Sequence, residues 1–155
     1  MRAMMLGAAL VLAATTMAAK PAAASDESDV MAVVTDYDMA LNKGDMAAAG
    51  KDCLEQLSII DEFAVYHWQG STALAGWASD YGAWAKANSV TPGLVSIGKP
   101  WHVEVTGAHA YAVIPVTYSY VKAGVKVVED GSVWTFALEK TPAGWRIASW
   151  AWAEH

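Results

Sequence analysis

The sequence predicts an α+β fold in which three N-terminal helices pack on a curved antiparallel sheet. Before residue 90, apolar residues recur mostly at helical spacing, whereas from Leu94 onward they alternate every second residue. Short turns that contain Gly or Pro separate the alternating stretches, as is typical of neighbouring antiparallel strands. Helices wrapped against such a bent sheet leave a cone-shaped cavity, and ligands bind preferentially in cavities of this kind.

The first 24 residues have the layout of a secretory signal peptide. Arg2 precedes an apolar run from Met4 to Ala19, and Ala22–Ala24 supplies small residues for cleavage before Ser25. The run is short and rich in alanine for a membrane span, and an uncleaved N-terminal anchor is the alternative. We therefore expect one exported domain, residues 25–155, that is periplasmic or secreted and has no membrane attachment after cleavage.

Charge and cysteine content narrow the functional classes. Loss of the leader removes Arg2 and Lys20, so the formal charge changes by two, from −6 to −8. An acidic domain without a Lys/Arg cluster is a poor match for nucleic acid or anionic lipid. The single cysteine, Cys53, cannot form an internal disulfide, and we expect it to be a small core residue in a helical segment.

Two helices are predicted before residue 58. In the first, Ser25 or Ser28 is the expected N-cap, and Gly44 ends the helix. Asp45 then caps a second helix that runs to about Leu57. The first helix has an apolar stripe formed by Val30, Val33, Val34, Tyr37 and Leu41, and we expect Asp36 and Asp38, on its outer face, to be solvated.

The segment 58–70, SIIDEFAVYHWQG, reads as one strand that is interrupted by Asp61 and Glu62. On a strand these two acids point to opposite faces, and Phe63 shares the face of Asp61. Ionised carboxylates are costly to bury, so one of them either faces water or occupies a pocket with a raised pKa.

A third helix is predicted from Thr72 to about Asn88, with Ser71 as its N-cap. Its aromatic stripe can form either protein core or a cavity wall. The stripe consists of Leu74, Trp77, Tyr81 and Trp84.

The rest of the chain predicts four β segments joined as an antiparallel meander. Trp150 and Trp152 share one face of the last segment, and Trp134 and Phe136 repeat this pattern one strand earlier. Such rows of large rings beside small alanine faces indicate that one sheet face meets a partner, so we expect a homodimer through the sheet. The four segments are residues 94–107, 109–124, 125–144 and 145–155.

Taken in order, these elements resemble the nuclear-transport-factor-2-like (NTF2-like) superfamily and its SnoaL-like branch. The resemblance covers Asp29–His155, and VVTDYDMALNKGDMAAAGKDCLEQLSIID, residues 33–61, resembles the N-terminal half of bacterial ketosteroid isomerase. It implies a cystatin-like fold, Tyr37 as a hydrogen-bond donor to an oxyanion and Asp61 as the base that moves a proton. The chain departs from the isomerase where that enzyme has a second acid, because Trp134 and its neighbours offer none.

The candidate catalytic residues are thus Asp61 and Tyr37. Four dispersed histidines give no metal-binding pair, so we expect neither a metal nor another cofactor. The candidate ligand-binding residues are Phe63, Trp68, Trp77, Tyr81, Trp101, His102 and Trp134.

Three functional classes remain open. The first is an acid–base enzyme of isomerase, dehydratase, cyclase or hydrolase type, which acts without a cofactor on a small, largely apolar molecule. The second is a protein that binds such a molecule without chemistry. The third is a dimeric assembly module whose cavity is filled by its own side chains.

Overall fold

The computed structural model describes residues 22–154, which form three helices and seven strands. Residues 1–21, most of the predicted signal peptide, lie outside the described residues. Within the described part, no helix combines the length and apolarity needed to cross a membrane. The elements are α1 (Ala22–Asn42), α2 (Met46–Lys51), β1 (Cys53–Ile60), β2 (His67–Gly70), α3 (Ala73–Ala87), β3 (Val90–Ile97), β4 (His102–Thr106), β5 (His109–Lys122), β6 (Val125–Thr141) and β7 (Gly144–Ala153).

The helices follow the predicted apolar stripes, with differences at their ends. α1 begins at Ala22, ahead of both serines that were predicted to cap it. Gly44 follows α1 with φ +69°, and the Asp45 side chain accepts a hydrogen bond of 2.9 Å from the Ala48 backbone N–H, as a capping residue does. α2 ends at Lys51 instead of near Leu57, so the prediction that Cys53 is helical was wrong.

The segment 58–70 is a hairpin and not one strand. β1 ends at Ile60 and pairs antiparallel with β2, with Ile60 opposite His67. Residues 61–66 form the connecting turn, in which the Asp61 backbone N–H donates to the Tyr66 carbonyl. Because Asp61 and Glu62 lie in this turn, the alternation of a strand does not separate them.

The seven strands form one curved, mixed sheet in the order β2-β1-β7-β6-β5-β3, and β4 also pairs with β5. All pairs are antiparallel except β1 with β7, which is parallel. The first predicted β segment is divided into β3 and β4, which pair with different parts of the long strand β5. The α+β fold with three helices on a curved sheet is confirmed.

The core lies between the helices and the inner face of the sheet. Val30, Val34 and Tyr37 of α1 are fully buried in this core, and the Tyr37 ring contacts the inner residues Trp134 and Phe136 of β6. The predicted aromatic rows of β6 and β7 therefore face inward, and the small residues face outward.

Candidate functional site

A cavity of about 140 Å³ lies between the helices and the inner face of the sheet, and we call it the aromatic cavity. Eight of its sixteen lining residues are aromatic, three are acidic, and none of the sixteen is Lys, Arg or His. Apolar cavities of roughly 150 Å³ hold molecules the size of benzene. The lining residues are Leu41, Asn42, Asp61, Glu62, Phe63, Trp77, Tyr81, Trp84, Pro92, Gly93, Val95, Tyr118, Glu129, Trp134, Trp150 and Trp152.

Asp61 is a half-buried acid in this lining, and both of its carboxylate oxygens accept hydrogen bonds. The Trp77 indole N–H donates to Oδ2 at 2.7 Å, and the Glu62 backbone N–H donates to Oδ1 at 2.8 Å. Burial raises the pKa of Asp61 above its ordinary value, and the two donors, which favour the ionised form, partly offset this rise. Asp61 therefore retains a proton to higher pH than a free aspartate.

Glu62, at the exposed edge of the cavity, belongs to a group of four carboxylates. Partial burial and the negative charges of Glu154, Asp61 and Glu129 raise the pKa of Glu62 to about 7. A hydrogen bond with Glu154 acts in the same direction. The cavity thus concentrates negative charge that the lining itself does not balance.

Tyr81 and Tyr118 provide the phenolic groups of the lining. Their hydroxyls form a short hydrogen bond with one another, and burial together with this bond raises the pKa of Tyr81. The next strand residue on the same face, Tyr120, donates its hydroxyl proton to Oε1 of Glu129 at 2.5 Å. Tyr81 is therefore neutral at physiological pH, and the Tyr81–Tyr118 pair keeps one hydroxyl proton that can be donated to a ligand.

Tyr37 lies behind the cavity wall and not in it. The side chain is fully buried, and its hydroxyl oxygen accepts a 2.8 Å hydrogen bond from the Trp150 indole N–H. Burial raises the pKa of Tyr37 well above its ordinary value. The Trp77 and Trp150 rings meet edge to face, with 5.4 Å between their centroids. Tyr37 is therefore connected to Asp61 through these two indoles and not by a direct hydrogen bond.

The other predicted ligand-binding residues divide into two groups. Phe63, Trp77, Tyr81 and Trp134 line the aromatic cavity. The remaining three, Trp68, Trp101 and His102, lie outside the lining.

Each of these three residues has a physical reason for its position. The Trp68 indole N–H donates to Asp80 at 2.8 Å behind Phe63. Trp101 is 64% exposed in the connection between β3 and β4, where its backbone N–H donates to the Val113 carbonyl of β5. His102 is exposed on β4, with its Nε2 3.3 Å from Glu104.

A β-bulge brings in Glu129, a lining residue that the strand pattern did not indicate. Val116 pairs with Ser132 and Thr117 pairs with Asp130, so Gly131 is an extra residue on β6, with φ +94°. The bulge reverses which residues face inward, so Glu129 lies on the same side as Trp134. The signal for this was Gly131 itself, because a glycine inside a strand pattern often marks a bulge.

Asp38 also departs from its prediction. Its side chain is 6% exposed, and burial raises its pKa to about 6, although the Asn42 amide partly offsets the rise. Its Oδ1 has no hydrogen-bond partner among the described residues. Asp38 is therefore a buried acid and not a solvated one.

Within residues 22–154, no group of three or more His, Cys, Asp or Glu side chains is arranged to hold a metal ion. The chemistry that the carboxylates around the aromatic cavity can perform by themselves is that of individual acids, bases or counter-charges.

The comparison with solved structures supports this fold. No family model matches the sequence, and no curated protein matches it either. Many solved structures are similar, and three of them illustrate the likeness. An NTF2-like protein with a cystatin-like fold from Novosphingobium aromaticivorans has a TM-score of 0.67 and 20% identity, over 84% of this chain and 82% of that one.

The second is a ketosteroid isomerase-like protein from Erwinia carotovora atroseptica, with a TM-score of 0.64 and 16% identity, over 83% of this chain and 95% of that one. The third is a type 2 hexachlorocyclohexane dehydrochlorinase, with a TM-score of 0.70 and 9% identity, over 85% and 86%. At these identities the likeness concerns the fold, and it agrees with the order of helices and strands in this chain. The chain therefore has the cystatin-like fold of the NTF2-like proteins.

Proposed function

We propose that the aromatic cavity binds a small molecule with an apolar body and that Asp61 removes a proton from it, without a cofactor. The observation that carries this proposal is the setting of Asp61, a half-buried carboxylate in an aromatic lining with a raised pKa. A general base works best when its pKa approaches the working pH, and burial moves Asp61 in that direction. The reactions within reach are isomerisation, dehydration, cyclisation and hydrolysis.

The similar structures add support of a limited kind. Two of them are named as an isomerase-like protein and a dehydrochlorinase, but one fold hosts many functions. The proposal therefore depends on the site residues of this chain.

Tyr37 has a positioning role in this proposal. Since its hydroxyl accepts from Trp150 behind the wall, it fixes the indole that contacts Trp77, which in turn holds Asp61. The Tyr81–Tyr118 pair replaces Tyr37 as the source of a phenolic donor in the lining.

A general-base probe tests the function before any natural substrate is known. Nitrobenzisoxazole loses its ring C–H proton to a carboxylate as its N–O bond breaks, which releases a coloured cyanonitrophenolate. We expect the protein to accelerate this reaction above an equal concentration of acetate, and Asp61→Asn to lower the rate roughly 100-fold or more, the contribution typical of a general base. The matched control is Glu104→Gln, an exposed acid outside the lining.

One observation favours binding without chemistry as the second candidate. Both oxygens of Asp61 already accept hydrogen bonds, as they do in a purely structural carboxylate. In that case the probe still quenches tryptophan fluorescence, because Trp77 and Trp150 line the cavity, but no product forms. An Asp61→Asn variant that keeps the wild-type rate would exclude the enzymatic proposal.

We also propose that the protein is exported and forms a homodimer through its sheet. The leader pattern in residues 1–24 supports export. Protein recovered from the periplasm or the medium should have the mass of a chain that begins at Ser25. Full-length protein confined to the cytoplasm would contradict the proposed export. An uncharged, partly apolar row of cross-strand partners on the outer face of the sheet, Val113, Thr135 and Ala151, supports the dimer.

A further inference from the structure

Charge in the aromatic cavity is of one sign. Asp61, Glu62 and Glu129 are in the lining, which has no Lys, Arg or His among its described residues. The two ion pairs formed by described residues, Lys140–Asp26 and His102–Glu104, contain no lining residue. Carboxylates removed from water without a positive partner are costly, so this arrangement favours a cationic ligand.

Glu129 shows the imbalance in one side chain. Its Oε1 accepts the Tyr120 hydroxyl, but its Oε2 is buried and has no hydrogen-bond partner among the described residues. The Tyr120 bond orients the carboxylate without neutralising it. A positive charge in the cavity would interact with Glu129 across a medium of lower dielectric constant than water.

The aromatic walls favour the same charge. Trp77 stacks on Tyr81 at 5.7 Å between ring centroids, and Tyr81 stacks on Trp84 at 5.9 Å, so α3 contributes three rings to the lining. The faces of such rings carry partial negative charge and attract ammonium groups, and aromatic cages bind quaternary ammonium ligands in this way.

We propose that the aromatic cavity selects small organic cations, namely ammonium compounds with an apolar body, over neutral molecules of the same shape. This inference rests on the proposed function in one respect, that the cavity takes a small molecule. The inference adds that the molecule is positively charged. Ligands with carboxylate or phosphate groups are excluded, because the lining acids repel them. The volume of about 140 Å³ suits an enclosed group of roughly the size of benzene, and the rest of a larger ligand extends past the exposed edge at Glu62.

Two probes of equal shape test the charge directly. Choline and 3,3-dimethylbutan-1-ol differ in having a quaternary nitrogen or a carbon at the same position. We expect calorimetry or tryptophan fluorescence to give at least tenfold tighter binding for choline. Because choline keeps its charge at every pH, its affinity should also rise as Glu62, beside Asp61, Glu129 and Glu154, loses its proton.

A variant locates the effect in the lining. Glu129→Gln keeps an acceptor for Tyr120 and removes one negative charge, so it should weaken choline several-fold and change the affinity of the alcohol less than twofold. Glu104→Gln, outside the lining, should change neither affinity. Thermal unfolding of each variant checks that it folds.

The outcomes separate this inference from the proposed function. Equal or tighter binding of the alcohol overturns the cation selectivity and leaves small-molecule binding intact. Binding of neither probe overturns it as well, and the benzisoxazole assay then decides the proposed function independently. Choline binding that Glu129→Gln leaves unchanged also contradicts the inference, because the selectivity would then come from another surface.

Discussion

The hydrogen bond from Trp77 to Asp61 links a helix to the proposed base. The Trp77 indole N–H donates to the carboxylate at 2.7 Å and thereby lowers the pKa of Asp61, whereas burial raises it. The basicity of Asp61 is thus set by two opposed effects, and one of them can be removed without changing the carboxylate itself.

Trp77→Phe should therefore raise the pKa of Asp61 further. A hydrogen bond to a charged group is worth about 1.5–3 kcal/mol, so the midpoint of the pH–rate profile with nitrobenzisoxazole should move up by about one to two units. Trp84→Phe is the matched control, because it removes an indole from the same lining without removing a donor to Asp61. Equal midpoints in both variants would show that the indole N–H does not tune the base.

The raised pKa of the buried Asp38 side chain predicts how the stability of the protein depends on pH. Its folded pKa of about 6 lies above the ordinary value of 3.8, so between those pH values the folded state binds more protons than the unfolded state. The free energy of unfolding then falls as pH rises through this window, by about 3 kcal/mol in all. Asp38→Asn removes this loss.

Urea unfolding at pH 3 and pH 8 measures the effect. The Asp38→Asn variant should match the wild type at the lower pH and exceed its stability at the higher one. Asp36→Asn, at an exposed acid two residues away, should change the stability at pH 8 by no more than about 0.5 kcal/mol. A variant that is less stable than the wild type at pH 8 would mean that the ionised carboxylate has a partner that offsets its burial.

At the scale of elements, local sequence patterns predicted most helices and strands but not where two of them end. The turn at residues 61–66, DEFAVY, contains neither Gly nor Pro and is rich in strand-forming residues, so it read as a strand. Likewise α2 stops at Lys51 because the next residues pair with β7, with the Ile147 N–H donating to the Asp52 carbonyl. Contacts between residues far apart in sequence decide both boundaries, and periodicity does not report them.

Gly93 of β3 lies very close to the backbone of β5. A Cβ added at Gly93 would lie 1.7 Å from the carbonyl oxygen of Ser119 on β5, so Gly93→Ala must displace backbone next to the cavity. Forcing atoms into a packed region costs about 1–3 kcal/mol or more. Gly82→Ala in α3 meets nothing within 4 Å and should instead stabilise the protein by up to about 1 kcal/mol.

Chemical unfolding should show a lower free energy of unfolding for Gly93→Ala and a higher one for Gly82→Ala, although both variants add the same methyl group. Gly93→Ala should also weaken binding of any cavity probe, because Gly93 is part of the lining. If Gly93→Ala were as stable as Gly82→Ala, β3 and β5 would have to lie further apart than described.

At the scale of the whole molecule, the cavity illustrates what a sequence leaves open. The position of Asp61 in the cavity lining followed from the resemblance, whereas Glu129 and Tyr118 come together only because they are cross-strand partners beyond a bulge. Which aromatic residues face the cavity depends likewise on the register of three strands. Residue type predicted an aromatic lining, but strand register determines its charge.

The outer face of the sheet has an uncharged row of residues that lies across several strands. Cross-strand partners form an uncharged row there, with Val113 of β5 opposite Thr135 of β6, and Thr135 opposite Ala151 of β7. Ile60 of β1 continues the row beside Ala151 and is 52% exposed. Such an uncharged, partly apolar row on an acidic protein suits a second copy, related by a two-fold axis so that the same patch meets itself.

Ala151→Glu should therefore convert a dimer into a monomer. The substitution places a carboxylate at the centre of the row in both copies, where the two charges repel and lose water on association. Light scattering coupled to size-exclusion chromatography should report twice the chain mass for the wild type and one chain mass for the variant. Lys86→Glu, on the exposed side of α3, controls for added negative charge and should remain dimeric. A wild type that is monomeric at tens of micromolar would remove the dimer, whereas a dimeric Ala151→Glu variant would move the interface to another face.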